Sequence, residues 1–549
     1  MNNLTLKNNK TVLVYIFLLT TIFPSLIWIS LDDRVFPWDQ AWYGQVSVEL
    51  FYKLVHSRHE WRDAMLSAFG IKAPGIAWLG QFFVPIGQLI GSIDTGLLLS
   101  IVTTQFIVLL LIYHIILKLT NSRLVSIICC LLASSSPLSV GLTHQYFVEP
   151  LQTLSIAWIT LIMVFAPQWE IKRIIPHLIS AVSLAMIAKI TSPLYSFGAI
   201  FVVLYHVYKK KNINQSLIQV NPQNLLSKIK PLYITTFLLL SGFLLWYSKN
   251  LQSILSFSIQ SSSGEVSLLY GEKAGFLPRM QYWLSAFQKN FFMPICLIFI
   301  VALLFYVVIK KILKIQRNPK SLKLSYFDIC VIVSLVEIFS VLTIFSLNVN
   351  QENRYLLPIL PYLAIVLSWI LKNVNQKIIV VFVGCLLTCQ LVVVQCQSFA
   401  FTPLNPDLSY WLYSINTRNK DKQSLTALVD ATCSKEEKER YNIIGVELPE
   451  LNANSAEYFS AKQLLKQNFR CYYTSLGYAE KDPEKAWQRL LDLNINYFVT
   501  LQPSLNFKPA DPFNQVNLPI LDKIQKSPKF KLQSFIDDQS VLLYKRVSP

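Results

Sequence analysis

Phe36-Pro-Trp-Asp-Gln-Ala-Trp-Tyr-Gly44 follows closely on an apolar run, Thr11 to Leu31. That run matches the ~20 residues a helix needs to cross the hydrocarbon core of a bilayer. It is too long for the core of a signal peptide, and no small-residue cleavage site follows it, so it reads as a retained helix. A carboxylate set among aromatics just outside a span is poorly explained by packing alone. Asp39 stands where a lipid-linked substrate would meet water, and it is the first candidate for chemistry.

Working outward from this stretch, apolar blocks recur. The 549 residues are 53% hydrophobic and 15% charged, with a mean hydropathy of +0.42. A soluble protein carries about 25% charged residues, so the chain reads as a polytopic membrane protein. The blocks fall at 11–31, 97–118, 124–142, 147–166, 174–190, 193–208, 232–247, 291–309, 327–347, 355–371 and 378–396, which predicts about eleven transmembrane helices. The net charge of +18 does not point to nucleic acid. The tail after about residue 397 is nearly balanced, and the excess clusters in short loops: Lys209-Lys-Lys211 with Lys228 and Lys230, then Lys310, Lys311, Lys314, Arg317, Lys320 and Lys323. With the N-terminus in the cytoplasm, every basic loop falls on the cytoplasmic side.

The same count puts 32–96, the turn near 143–147, 248–290, Asn348–Arg354 and the tail outside. The first of these loops is semi-apolar, with Trp42, Tyr43, Phe51, Tyr52, Trp61, Trp78, Phe82 and Phe83, and reads as amphipathic helices lying along the interface. Gly75–Gly91 has the composition of a short or re-entrant span, but a full crossing would put the downstream basic loops outside. The division expected is a transmembrane domain over 1–397 and a soluble domain over 398–549. In the tail, 442–446, 471–473, 496–501, 530–535 and 541–544 read as strands. Residues 456–467 and 484–493 read as helices, the second after Asp482-Pro483, a helix-start pair. Asp537-Asp538-Gln539 reads as a hairpin turn. Helices alternating with strands predict a small α/β layer.

Most of the nine cysteines lie in or beside apolar spans, and no spacing matches a zinc site. Cys433 and Cys471 fall well inside the tail and would meet an oxidising compartment there. A bond between them requires Cα atoms within ~7 Å, which sequence does not supply.

Asp39, Lys72, Glu149, Lys189 and Arg354 combine charge with aromatics at the membrane edge, and the predicted topology puts all five on one side. Each also has a structural reading; for Asp39 it is an acid of an interfacial loop. Lys72, Lys189 and Arg354 suit snorkelling cations at helix ends. Glu149, before Pro150, suits a first-turn helix acid. Asp32 and Asp33 read as loop acids, His144 as a loop histidine, and Glu337, inside a span, as a buried polar contact.

Trp38-Asp-Gln-Ala-Trp-Tyr-Gly44 resembles the Asp-Glu-x-x-Tyr element that follows the first helix of GT-C fold glycosyltransferases, in the branch of the protein O-mannosyltransferases and lipid A aminoarabinose transferases. Lys72-Ala-Pro74 with Trp78-Leu79 resembles that group's Lys-Pro-Pro-Leu…Trp-Leu run. Arg354-Tyr-Leu-Leu-Pro-Ile-Leu-Pro361 is similar to its Arg-Tyr-x-x-Pro-x-x-Pro element, and Glu149-Pro150 occupies the place of an acidic residue in its second outer loop. The resemblance covers approximately residues 11–396. It departs at Gln40, where the family often has Glu.

The resemblance implies a GT-C-like fold and transfer of a sugar from a polyprenyl-phosphate donor to a lipid, glycan or protein acceptor. Asp39 would then be the general base. Lys72, Arg354 and Lys189 would bind the donor phosphate, and Glu149, Tyr43 and Tyr355 would contact sugar or acceptor. The first two outer loops hold no Asp-x-Asp pair, so neither a divalent metal nor another cofactor is invoked. The setting expected is a multi-pass plasma (inner) membrane of a bacterium, with site and tail extracytoplasmic. The rival readings are a transporter or flippase of lipid-linked glycans, which calls for polar or broken helices at mid-membrane, and a non-catalytic partner of the same fold. Donor sugar, acceptor class and oligomeric state stay open.

Overall fold

The computed structural model describes residues 2–214, 226–271, 274–317, 324–406, 408–417, 420–436, 439–502, 512–536 and 540–547. Among these the chain is a polytopic α-helical membrane protein with a small five-stranded sheet near its C-terminus. It divides into two compact units. One comprises Met1–Ile29, Leu66–Ile76 and Leu98–Ser414; the other comprises Ser30–Met65, Ala77–Leu97 and Ile415–Pro549.

Among the described residues, eight helices are long and apolar enough to cross a membrane: Val12–Leu31, Ile93–Thr120, Ile171–Ala188, Pro231–Ser262, Pro294–Lys314, Tyr326–Leu347, Asn353–Val374 and Lys377–Ser398. Each matches an expected block. The remaining three blocks take other forms. Residues 124–142 break into Arg123–Ser135 and Pro137–Thr143, bent by 63°. Ser136 caps the second piece through its hydroxyl, and Pro137 supplies no amide to continue the first. Residues 147–166 form the shorter apolar helix Glu149–Phe165. The block 193–208 begins as a 3₁₀ turn, Ser192–Tyr195, before the helix Phe197–Asn214. Part of the expected loop 248–290 is helical. Leu, Ile and Gln carry the Leu226–Ser262 helix past residue 248, and a second helix runs Phe276–Phe291.

Polar anchors fix the membrane unit from inside. Glu337 accepts from the backbone amides of Gly198 (2.5 Å) and Ala199 (3.1 Å), so a carboxylate on the Tyr326–Leu347 span satisfies two first-turn donors of the Phe197–Asn214 helix. This is the buried polar contact expected of Glu337. The Gln390 amide donates to the carbonyls of Ser135 and Phe291 and accepts from Met293 N at 2.8 Å. Lysines near helix C-termini also reach carbonyls of neighbouring segments. Lys372 donates to Thr120 O at 2.6 Å and Lys210 to Ala166 O at 2.9 Å. Lys320 and Lys323 lie outside the described residues.

In the second unit β1 (Tyr441–Ile444), β2 (Tyr472–Ser475), β3 (Tyr497–Leu501), β4 (Phe530–Ile536) and β5 (Val541–Arg546) form one sheet in the order β2-β1-β3-β5-β4. β2, β1 and β3 are parallel; β5 runs antiparallel to both β3 and β4. Parallel neighbours require crossovers. Ala453–Gln467 makes the one from β1 to β2, and Pro483–Asp492 the one from β2 to β3. Asp482 caps the latter, its Oδ1 accepting from Glu484 N at 2.9 Å. Ile443, Leu490, Phe498, Ile520 and Leu542 fill the core beneath. The expected hairpin turn at Asp537-Asp538-Gln539 lies outside the described residues. Two helices, Lys420–Thr432 and Asn517–Lys526, were not expected from the sequence. Cys433, just after the first of them, is disulfide-bonded to Cys471, just before β2, with Cα atoms 5.5 Å apart.

Gly75–Gly91 holds two short helices, Gly75–Gly80 and Val84–Leu89, each well under the ~20 residues a crossing helix needs.

Candidate active site

Three breaks in helical structure bring charge together in the membrane unit. Glu149 is the first residue of the Glu149–Phe165 helix, where Pro150 is tolerated because first-turn amides lack an intrahelical acceptor. Lys189 is the extended residue that ends Ile171–Ala188, and Pro193 then sets the 3₁₀ turn Ser192–Tyr195. Arg354 sits in the 3₁₀ turn Asn353–Ile359, broken by Pro358 before the next helix begins.

Lys189 Nζ donates to Glu149 Oε1 at 2.8 Å, and Arg354 Nε stands 3.5 Å from the same oxygen. Arg354 Nε is also 3.4 Å from Glu352 Oε2. The Glu149 side chain is 0% exposed. A carboxylate that deep is tolerated only beside compensating cations. Its second oxygen, Oε2, is buried with no hydrogen-bond partner among the described residues.

Aromatic faces wall the cations. Lys189 Nζ lies 3.6 Å from the Tyr355 ring centroid, and the Arg354 guanidinium lies 4.3 Å from that of Phe147 and 5.2 Å from that of Trp411. The walls are themselves pinned. Tyr195 Oη donates to Tyr355 O at 2.7 Å, the Trp411 indole N–H to Asn353 Oδ1 at 2.6 Å, and Gln145 Nε2 to Trp411 O at 2.7 Å. Gly141 permits the last approach: a Cβ there would stand 2.3 Å from Trp411 O.

The segment carrying Lys72 reaches the same region. Gly75 lies against the end of the Lys189 helix so closely that a Cβ would meet Ile187 O at 2.7 Å. The Tyr146 hydroxyl, three residues before Glu149, donates to Ile76 O at 2.9 Å. Together these residues form a cationic pair on a shared carboxylate, roofed by aromatics, at the ends of apolar helices. Such a site suits an anionic oxygen attached to an apolar chain.

Asp39 and Tyr43 belong to the other unit. Asp39 lies in the first turn of the Trp38–His56 helix and is half-buried; Tyr43 is buried. Trp38 has φ +35°, a region bulky residues rarely occupy, so the turn into Asp39 is strained.

No protein-family model and no curated protein sequence matches the chain. Solved structures do match its fold. ArnT from Cupriavidus metallidurans in the apo state aligns over 98% of this chain and 98% of its own, with TM-score 0.53 and 12% identity. The same protein bound to undecaprenyl phosphate aligns over 98% of each chain, with TM-score 0.52 and 11% identity. The chain has the GT-C fold. The Archaeoglobus fulgidus oligosaccharyltransferase in the apo form shares this GT-C architecture over 88% of this chain and 69% of its own, with TM-score 0.50 and 10% identity.

Of the residues singled out in the sequence, Glu149, Lys189, Arg354 and Tyr355 meet within the membrane unit of this GT-C fold. Phe147, Asn353 and Trp411 were missed. Phe147 stands two residues before Glu149. Trp411 belongs to the aromatic run Tyr410-Trp-Leu-Tyr413, which begins twelve residues after the last span ends at Ser398 and reads as tail. Its signal was that run of rings at a membrane edge.

Proposed function

We propose that this protein is an integral membrane glycosyltransferase that moves a sugar from a polyprenyl-phosphate donor to an acceptor on the extracytoplasmic side. The observation carrying this reading is the pairing of Lys189 and Arg354 around Glu149 beneath Tyr355, Phe147 and Trp411. A protein of the same fold has been crystallised with undecaprenyl phosphate, which supports a lipid phosphate as the group recognised. The Cys433–Cys471 disulfide supports an oxidising, extracytoplasmic setting for the C-terminal region.

In this mechanism Asp39 takes the proton of the acceptor nucleophile as its oxygen or nitrogen forms a bond to the anomeric carbon. The bond from that carbon to the phosphate oxygen breaks, and the configuration inverts. Arg354, Lys189 and Lys72 receive the charge that builds on the departing polyprenyl phosphate. Glu149 holds Lys189 and Arg354 in place, and Tyr355 with Tyr43 contributes to sugar or acceptor binding.

The test is incubation of the purified, membrane-reconstituted protein with labelled polyprenyl-phosphate sugars. Release of polyprenyl phosphate with label on an acceptor supports the reading. Movement of intact donor across the bilayer without transfer would favour a flippase, and neither event would favour a non-catalytic partner.

A further inference from the structure

The Trp38–His56 helix is clamped at both sides of Asp39 by one helix of the C-terminal region. Gly44 lies five residues beyond Asp39 on the same helix. Its backbone is ordinary helix, so conformation does not demand glycine there, and glycine costs a helix about 1 kcal/mol relative to alanine. The reason is close approach: a Cβ on Gly44 would sit 2.8 Å from Tyr458 Cε2.

Nor is the Tyr458 ring free to yield. It is fully buried, and its hydroxyl donates to Asp94 at 2.5 Å. One face stacks on Phe36, with centroids 5.5 Å apart and planes 4° apart, and Lys462 Nζ stands 4.5 Å from the ring centroid. On the other side of Asp39, the Ser455 hydroxyl donates to Phe36 O at 2.9 Å. Phe36 and Gly44 thus bracket the strained Trp38–Asp39 turn, and both are held by residues of the Ala453–Gln467 helix.

We infer that the C-terminal region acts in the reaction as the support that positions Asp39, with Tyr458 as the positioning residue. This rests on the reading of Asp39 as general base. A strained turn persists only where its surroundings over-determine it. A helix pushed away at residue 44 carries Asp39 with it, because five residues span only ~7.5 Å of rigid helix.

The experiment is a double-mutant cycle read by two measurements on the full-length protein. Gly44→Ala is expected to speed hydrogen exchange of the amides in 38–44 by ~10-fold or more. It should also lower kcat by ~10²-fold while donor KM stays within ~3-fold. In a Tyr458→Leu background, where the ring edge is gone, the same Gly44→Ala change should alter neither quantity by more than ~2-fold. Equal effects in both backgrounds would overturn the inference, as would unchanged exchange and kcat in Gly44→Ala alone. The exchange measurement needs no turnover. Absence of transfer by the wild-type protein would therefore count against the glycosyltransferase reading, while exchange still judges the clamp.

Discussion

Lys189 Nζ lies 2.8 Å from Glu149 Oε1, joining a helix C-terminus to the N-terminus of another helix 40 residues earlier in the chain. The two helix ends alone would not fix this pair. Arg354 shares the same oxygen and Tyr355 covers the ammonium, so three side chains from two other segments depend on one carboxylate.

Glu149→Ala is therefore expected to cost more than the loss of one hydrogen bond. It leaves Lys189 beside Arg354 with no shared counter-charge. Breaking a buried pair from one side costs about 3–5 kcal/mol. Thermal unfolding in detergent should show a clearly lowered midpoint, with Glu149→Gln intermediate. A Glu149→Ala midpoint equal to wild type would mean that the carboxylate is not structural.

Arg354→Ala and Lys72→Ala should weaken binding of a polyprenyl-phosphate donor while leaving the acceptor KM nearly unchanged. Each removes a charge-assisted contact, on the order of 1.5–3 kcal/mol or roughly ten- to a hundred-fold in affinity. Donor titration by intrinsic tryptophan fluorescence would measure it. Unchanged donor affinity in both variants would move the phosphate site elsewhere.

Gly75→Val should disturb the end of the Lys189 helix, because a Cβ at 75 already falls 2.7 Å from Ile187 O. Overpacking of this kind costs typically about 1–3 kcal/mol. Donor affinity is expected to fall together with the unfolding midpoint. A fall in midpoint alone would separate packing at Ile187 from the cationic pair.

Reduction of the Cys433–Cys471 bond should loosen the C-terminal unit. The bond closes a loop with a sequence separation of 38, and a loop of that size contributes on the order of 3–4 kcal/mol in the chain-entropy model. Alkylation without prior reduction should leave both cysteines unmodified in mass spectra of protein from native membranes. Modification of both would remove the bond and the support it lends to an extracytoplasmic tail.

Much of the architecture was legible from spacing. Eight of the expected apolar blocks are long helices, and β1 to β5 fall within two residues of the positions the alternating pattern marked. What composition did not reveal was continuity. Pro137 splits one apolar block, and Leu226–Ser262 runs on through a polar stretch, because local propensity and caps, rather than hydropathy, set where a helix stops. The cluster around Glu149 was legible as residues but not as a contact. Lys189 and Arg354 each have the sequence look of a snorkelling cation, and only the chain breaks at Pro193 and Pro358 turn them toward one carboxylate. The helix Lys420–Thr432 was missed because its apolar residues, Leu425, Leu428 and Val429, cover a single turn.

The most direct measurement of the central claim is single-turnover transfer from a labelled polyprenyl-phosphate sugar by Asp39→Asn, with donor binding measured on the same preparation. A general base is worth typically ~10²–10⁴-fold. The account predicts transfer reduced by that range with donor affinity nearly intact, and Asp32→Asn close to wild type. Transfer by Asp39→Asn within a few-fold of wild type would contradict it.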